Sequence, residues 1–97
     1  LAQGKLKSAR RRLQLAVGND YQGGRVTSHM HGVLRQLCKQ HTEIACVDAE
    51  AVFTEASKSG VPGKDLFVDF CHPTFNKGVQ LIADELARVV KPKDLKR

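Results

Sequence analysis

Apolar residues recur along the first segment of the chain at alternating steps of four and three. The positions in this series are Ala2, Leu6, Ala9, Leu13 and Ala16. This spacing is typical of one face of an α-helix, so it predicts a helix over residues 1–17. Several glycine and asparagine residues then interrupt the pattern between Gly18 and Gly24, which predicts a loop.

A second helix is predicted after this loop, because Thr27 or Ser28 can cap its first turn. Its apolar face comprises Met30, Val33, Leu34, Leu37 and Cys38. A short third helix is predicted from Ala49 to Ser57, with its apolar stripe at Val52, Phe53 and Ala56.

The closing helix is predicted to begin near Thr74 and to cover about residues 75–90. Its apolar positions are Val79, Ile82, Ala83, Leu86 and Val90. Pro92 follows and is expected to stop it. The segment from Ser59 to Gly63 has the residue types of a turn.

A short apolar run from Ile44 to Val47, ending in Asp48, predicts a buried strand over about residues 44–48. A lone buried strand would leave its backbone N–H and C=O groups unpaired, so its partners are expected outside this chain. The fold class predicted is α/β. The chain is expected to be the C-terminal portion of a three-layer α/β/α domain, mostly helical within its own 97 residues.

Positive charge is concentrated at the two ends of the chain, which has a formal net charge of +6. The basic residues singled out in the first segment are Arg10, Arg11 and Arg12. Those singled out in the tail, which runs to Arg97, are Lys91 and Lys93. Such ends can contact phosphates or an acidic partner, including a nucleic acid. Solvated helix faces are the simpler interpretation, because the chain has too few aromatic residues for a base-stacking platform.

Three cysteines, Cys38, Cys46 and Cys71, form no Cys-x-x-Cys pair. Their odd number predicts an intracellular, reducing compartment and argues against a disulfide framework. A zinc site that uses His29, His31 or His41 with these cysteines is an alternative, but no pair has zinc-finger spacing. No metal or cofactor is therefore predicted. No membrane partner is predicted either, because the chain has no apolar run long enough to span a bilayer.

Asp69 and His72 lie three residues apart before Pro73, ahead of the closing helix. An aspartate that binds one imidazole nitrogen leaves the other nitrogen to accept a proton from a serine, as a serine hydrolase requires. Alternatively, Asp69 only accepts backbone N–H bonds at a helix entrance. Cys71 could be a nucleophile beside His72, but adjacent side chains rarely aim at one another, so a packed thiol is predicted.

The stretch IACVDAEAVFTEASKSGVPGKDLFVDFCHPTFNKGVQLIADELARVV resembles the C-terminal part of SGNH hydrolases, also called GDSL-type esterases or lipases. The shared features are Val47–Asp48, the Gly60–Gly63 loop, the Asp-x-x-His-Pro block at residues 69–73, Gly78 and Ile82–Ala83. The resemblance implies that His72 is a general base and that Asp69 orients it.

The chain departs from this family because it contains no Gly-Asp-Ser block, which carries the family's nucleophile. Two functions remain open. One is the C-terminal part of an esterase or acyl hydrolase, inactive alone, whose serine and oxyanion residues lie in a missing N-terminal half or another chain that completes the sheet. The other is a non-catalytic, basic subunit of a larger assembly such as a ribonucleoprotein complex.

Overall fold

The computed structural model describes residues 3–19 and 26–95, and these residues form four α-helices and one short 3-10 helix. The elements are α1 (Gln3–Gly18), α2 (Ser28–Gln40), α3 (Ala49–Ala56), α4 (Gly78–Val89) and the 3-10 helix Pro92–Leu95. The chain divides into two compact units, Leu1–Ile44 and Ala45–Arg97.

The described residues are all-α, so the predicted α/β class and the three-layer sandwich are wrong. The predicted strand at residues 44–48 is instead a turn and a helix cap. The Ile44 N–H donates to the His41 carbonyl at 3.1 Å, and the Asp48 carboxylate accepts the Ala51 N–H at 3.0 Å. Since this run is not a strand, it needs no strand partners from outside the chain.

The cysteines also differ from expectation. Cys38 and Cys46 are both disulfide-bonded, whereas Cys71 keeps its thiol. The bond carries no conclusion about the compartment, and the intracellular location stays a prediction.

In the first unit, α1 and α2 are the predicted helices. Thr27 caps α2 as expected, since its side chain accepts the Met30 N–H at 3.3 Å. The apolar face of α2 is nevertheless not buried, because its large side chains are between 45% and 55% exposed. These side chains are Met30, Val33, Leu34 and Leu37.

The second unit is built around a small core between α3 and α4. Phe53 of α3 and Leu66 of the following loop are its buried apolar side chains. The Phe53 and Phe67 rings are 5.1 Å apart between centroids, a distance typical of a favourable aromatic pair. The predicted third helix is confirmed, with Ser57 as its C-cap rather than its last residue.

Buried Ser57 forms the hydrogen bonds that hold the Gly-rich turn between α3 and Leu66. Its hydroxyl lies 3.0 Å from the Val61 carbonyl and 2.9 Å from the Asp65 carboxylate. The other Asp65 oxygen accepts the Gly63 N–H at 2.9 Å. The Gly63 N–H first, and the Ser57 hydroxyl second, hold the pKa of Asp65 below its usual range. Gly60 has a φ of 69°, a left-handed conformation that favours glycine.

The closing helix starts later than predicted, at Gly78, because residues 75–77 form a turn. The Thr74 hydroxyl accepts the Gly78 N–H at 3.0 Å across this turn. A Cβ atom at Gly78 would lie 2.5 Å from the Leu66 carbonyl oxygen and 2.6 Å from the Pro73 Cβ atom. The start of α4 therefore approaches the preceding loop so closely that only glycine fits. The helix ends before Pro92 as predicted.

We expect Gly78→Ala to lower the free energy of unfolding by about 1–3 kcal/mol, because the added methyl group must displace backbone. Thermal unfolding followed by circular dichroism measures this loss. Gly32→Ala is the matched control, since nothing lies within 4 Å of its Cβ position and alanine favours a helix. Equal midpoints for Gly78→Ala and the unmodified chain would contradict the close approach.

Candidate functional site

The Asp69–His72 segment is a tight loop whose base is closed by backbone hydrogen bonds. The Val68 N–H donates to the His72 carbonyl at 2.8 Å, and the Thr74 N–H donates to the Leu66 carbonyl at 2.7 Å. Phe67 and Pro73 form an isolated antiparallel bridge between these two bonds. The predicted loop ahead of the last helix is therefore confirmed, and it is anchored next to the buried core residue Leu66.

The Asp69 carboxylate binds both the backbone of the loop and the His72 ring. Its Oδ1 atom accepts the Cys71 N–H at 2.9 Å and the His72 N–H at 2.8 Å. The His72 Nδ1 atom lies 2.7 Å from Oδ2 and 2.9 Å from Oδ1. The predicted contact between carboxylate and ring is confirmed. The alternative, a carboxylate that binds only backbone at a helix entrance, is wrong on both counts, since α4 begins at Gly78.

These hydrogen bonds fix the charge of Asp69 and the tautomer of His72. The Cys71 N–H contributes most, followed by the His72 ring and then the His72 N–H, and together they hold the pKa of Asp69 far below its usual range. Because an ionised carboxylate only accepts hydrogen bonds, the ring proton must lie on Nδ1. Nε2 is then the nitrogen with an available lone pair.

The loop presents its polar groups to solvent among apolar side chains. The side chain of His72 is 73% exposed and that of Asp69 is 45% exposed. Val68, Phe70 and Phe75 are 72%, 70% and 90% exposed. The sequence interpretation did not single out these apolar residues. A usable signal was present, since three of the four phenylalanines lie between residues 67 and 75.

Cys71 is exposed rather than packed as predicted, and its Sγ atom lies 3.4 Å from His72 Nδ1. The thiol and the Asp69 carboxylate thus approach the same ring nitrogen. A nucleophile–base–acid relay needs them on opposite nitrogens, so Cys71 does not serve as the nucleophile of this pair.

Asp69, Cys71 and His72 also form the one group of three potential metal ligands found in the part of the chain that the structure describes. Their ligand atoms all lie within 4.8 Å of one another. The alternative zinc site of the other histidines is not assembled among those residues. His41 instead contacts Glu43, with 3.0 Å between Nδ1 and Oε1.

The predicted phosphate contacts lie in separate units. Arg10, Arg11 and Arg12 are exposed on α1, and because they are consecutive on a helix they point in different directions. Lys91 and Lys93 are exposed after α4, and the Lys91 ammonium donates to the Arg88 carbonyl at 3.0 Å. Lys96 and Arg97 lie outside the described residues. Contact with phosphate stays a prediction for all of these side chains.

Comparison of the chain with protein-family models, with curated proteins and with solved structures finds no match. Among the described residues, no helix is both long enough and apolar enough to cross a bilayer.

We expect Asp69→Ala to move the His72 proton from Nδ1 toward Nε2, because the carboxylate that holds it on Nδ1 is removed. The ¹⁵N chemical shifts of the two ring nitrogens report this exchange. Glu43→Gln is the control, since Glu43 contacts His41 and should leave the His72 signals unchanged. Unchanged His72 shifts in Asp69→Ala would contradict the contact.

Proposed function

We propose that the Asp69–His72 loop provides the general base and its orienting carboxylate in a serine hydrolase of the SGNH type, acting on ester or acyl-sugar-like bonds. The observation that supports the proposal most is the 2.7 Å contact between His72 Nδ1 and Asp69 Oδ2. It leaves Nε2 with the lone pair that such a base needs.

In this mechanism Nε2 takes the proton of a serine hydroxyl while the serine oxygen attacks the substrate carbonyl carbon. The imidazolium that forms is stabilised by the Asp69 carboxylate, which does not take the proton itself. The imidazolium then gives its proton to the leaving alcohol oxygen as the carbon–oxygen bond breaks. Water repeats the sequence on the acyl-serine, with Nε2 again accepting and returning the proton.

The serine and the oxyanion donors of this reaction are proposed to lie outside this chain. Among the described residues, the His72 ring bonds to Asp69 and Cys71 and to no serine. Ser57 is buried, and its hydroxyl is used in the Gly-rich turn. Without a nucleophile and oxyanion donors most of the transition-state stabilisation is missing.

The exposed apolar side chains beside the loop favour a protein surface as the source of the serine. Val68 and Phe75 flank the Asp–His pair and are 72% and 90% exposed. A surface that covered them would remove apolar area from water, which favours association. It would also exclude water from the pair, and charge stabilisation is stronger in such a site.

The alternative is a non-catalytic, basic subunit of a larger assembly such as a ribonucleoprotein complex. Its specific support is that Arg10, Arg11 and Arg12 are all exposed on α1. The two proposals make different predictions about activity and about salt dependence.

For the enzyme, the isolated chain is expected to hydrolyse a generic ester no faster than free imidazole. Joined to its nucleophile-bearing half, it should gain activity that His72→Ala lowers by roughly 10²–10⁴-fold, the usual contribution of a general base. Asp69→Ala should lower this activity by a smaller factor, because the aspartate orients the ring and does not take the proton. Ester turnover with and without that half is the measurement.

Trapping with a serine-directed phosphonate locates the nucleophile in the same complex. Label is expected on the other component and should depend on His72, whereas His41→Ala is the control that should leave it intact. Activity of the complex that survives His72→Ala would contradict the proposal. Label on the isolated chain would show that the serine lies here.

For the basic subunit, binding to an RNA or DNA duplex should weaken steeply with added salt, because it depends on phosphate contacts. Replacing Arg10, Arg11 and Arg12 with glutamine should reduce the slope of log K against log salt by up to about 0.9 per lost contact. Replacing Lys58, Lys64 and Lys77, which are exposed in the other unit, with glutamine removes the same number of charges and is the control. Salt-insensitive or strongly sequence-selective binding would contradict this alternative.

A further inference from the structure

We propose that Asp69, Cys71 and His72 bind a zinc ion through Oδ2, Sγ and Nδ1. Carboxylate, thiolate and imidazole are the ligand types that zinc takes in proteins. The proposal goes beyond the hydrolase function and does not depend on it.

The three ligand atoms are close enough together for a tetrahedral site to form after a small shift of the side chains. Zinc bonds of about 2.0–2.3 Å at tetrahedral angles place neighbouring ligand atoms about 3.3–3.7 Å apart. The Sγ–Nδ1 distance is already 3.4 Å, while Nδ1 and Oδ2 are 2.7 Å apart. An ion therefore fits if Oδ2 and the ring separate by somewhat more than half an ångström, which exposed side chains can do.

Hydrogen bonds already hold the Asp69 carboxylate against the backbone of the other two ligand residues. Asp69 Oδ1 accepts the Cys71 and His72 N–H groups, so Oδ2 is the oxygen left for the ion. The hydrogen bond between the Val68 N–H and the His72 carbonyl closes the loop behind it. Because these bonds exist without the ion, the backbone of the loop does not have to be ordered on binding. The exposure of the cluster leaves the fourth coordination position to water.

Binding changes the protons of the site in a defined way. The Cys71 thiol releases its proton to solvent as the zinc–sulfur bond forms. Nδ1 loses its proton to solvent and Nε2 takes one up from solvent, so the ring stays neutral as the Nε2–H tautomer. The bond between Nδ1 and Asp69 is replaced by two bonds to the metal. If the hydrolase proposal holds, zinc inhibits the enzyme, because Nε2 can no longer accept a proton.

The test uses the full chain with zinc and cobalt ions as probes. Zinc is titrated in competition with a chromophoric chelator, and cobalt reports a bound thiolate through its sulfur-to-metal charge-transfer band. We expect one ion per monomeric chain, and the charge-transfer band with cobalt. Cys71→Ser should abolish that band and weaken zinc binding by roughly tenfold or more. His72→Ala should weaken zinc binding to a similar extent.

Two controls separate this site from the other ligands of the chain. Cys38→Ser with Cys46→Ser removes the other two cysteines and should leave both the affinity and the band unchanged. His41→Ala removes the other described contact between a histidine Nδ1 and a carboxylate and should also have no effect. Circular dichroism of Cys71→Ser should match the unmodified chain, because the side chain is exposed.

The proposal is overturned by any of three results. The first is zinc affinity that Cys71→Ser does not change. The second is a charge-transfer band that disappears with Cys38 and Cys46. The third is one ion shared by two chains, seen as a dimer by sedimentation. Zinc binding is measured without any ester assay. A chain that binds no zinc therefore leaves the hydrolase proposal intact, and a chain with no esterase activity leaves the zinc proposal intact.

Discussion

The approach of the first residue of α4 to the base of the Asp–His loop is the constraint on which the site depends. Only a glycine fits at position 78, because a side chain would meet the Leu66 carbonyl and Pro73. Leu66 is buried in the small core, and its carbonyl accepts the Thr74 N–H. The loop is therefore fixed at both ends to packed residues, while its tip extends into solvent. The exposed histidine and carboxylate keep a defined geometry because the backbone at the base of their loop is bound to packed residues.

The sequence predicted the helices well because their periodic apolar positions and caps are local features. It also predicted the Asp69–His72 contact, since three residues of a turn bring two side chains together. It failed at residues 44–48, because a short apolar run has no period that separates a strand from a turn followed by a helix cap. The place of the Cys71 thiol was missed for a different reason. In a tight loop, adjacent side chains can converge, and the strand and helix rules do not describe that case.

The second unit leaves several apolar side chains outside its core, and this limits its stability. Its core has few members, and Val68 and Phe75 remain largely exposed beside the loop. Small domains are only marginally stable because they bury a small fraction of their surface. Exposed aromatic residues add nothing to that stability. A second surface that covered them would remove apolar area from water, and the hydrolase proposal places its serine on such a surface.

The two proposals for this loop make opposite demands on one imidazole ring. As a base, His72 must carry its proton on Nδ1, donate it to Asp69 and offer Nε2 to a serine. As a zinc ligand, it must bind the metal through Nδ1 and carry the proton on Nε2. The Asp69 carboxylate takes part in both states, and its bonds to the Cys71 and His72 N–H groups need not change between them. The Cys71 thiol distinguishes the two states, because it binds the metal in the zinc site and has no role in the general base. If both proposals hold, the loop is therefore a base that a thiol-binding metal can switch off, through a change confined to one ring and two side chains.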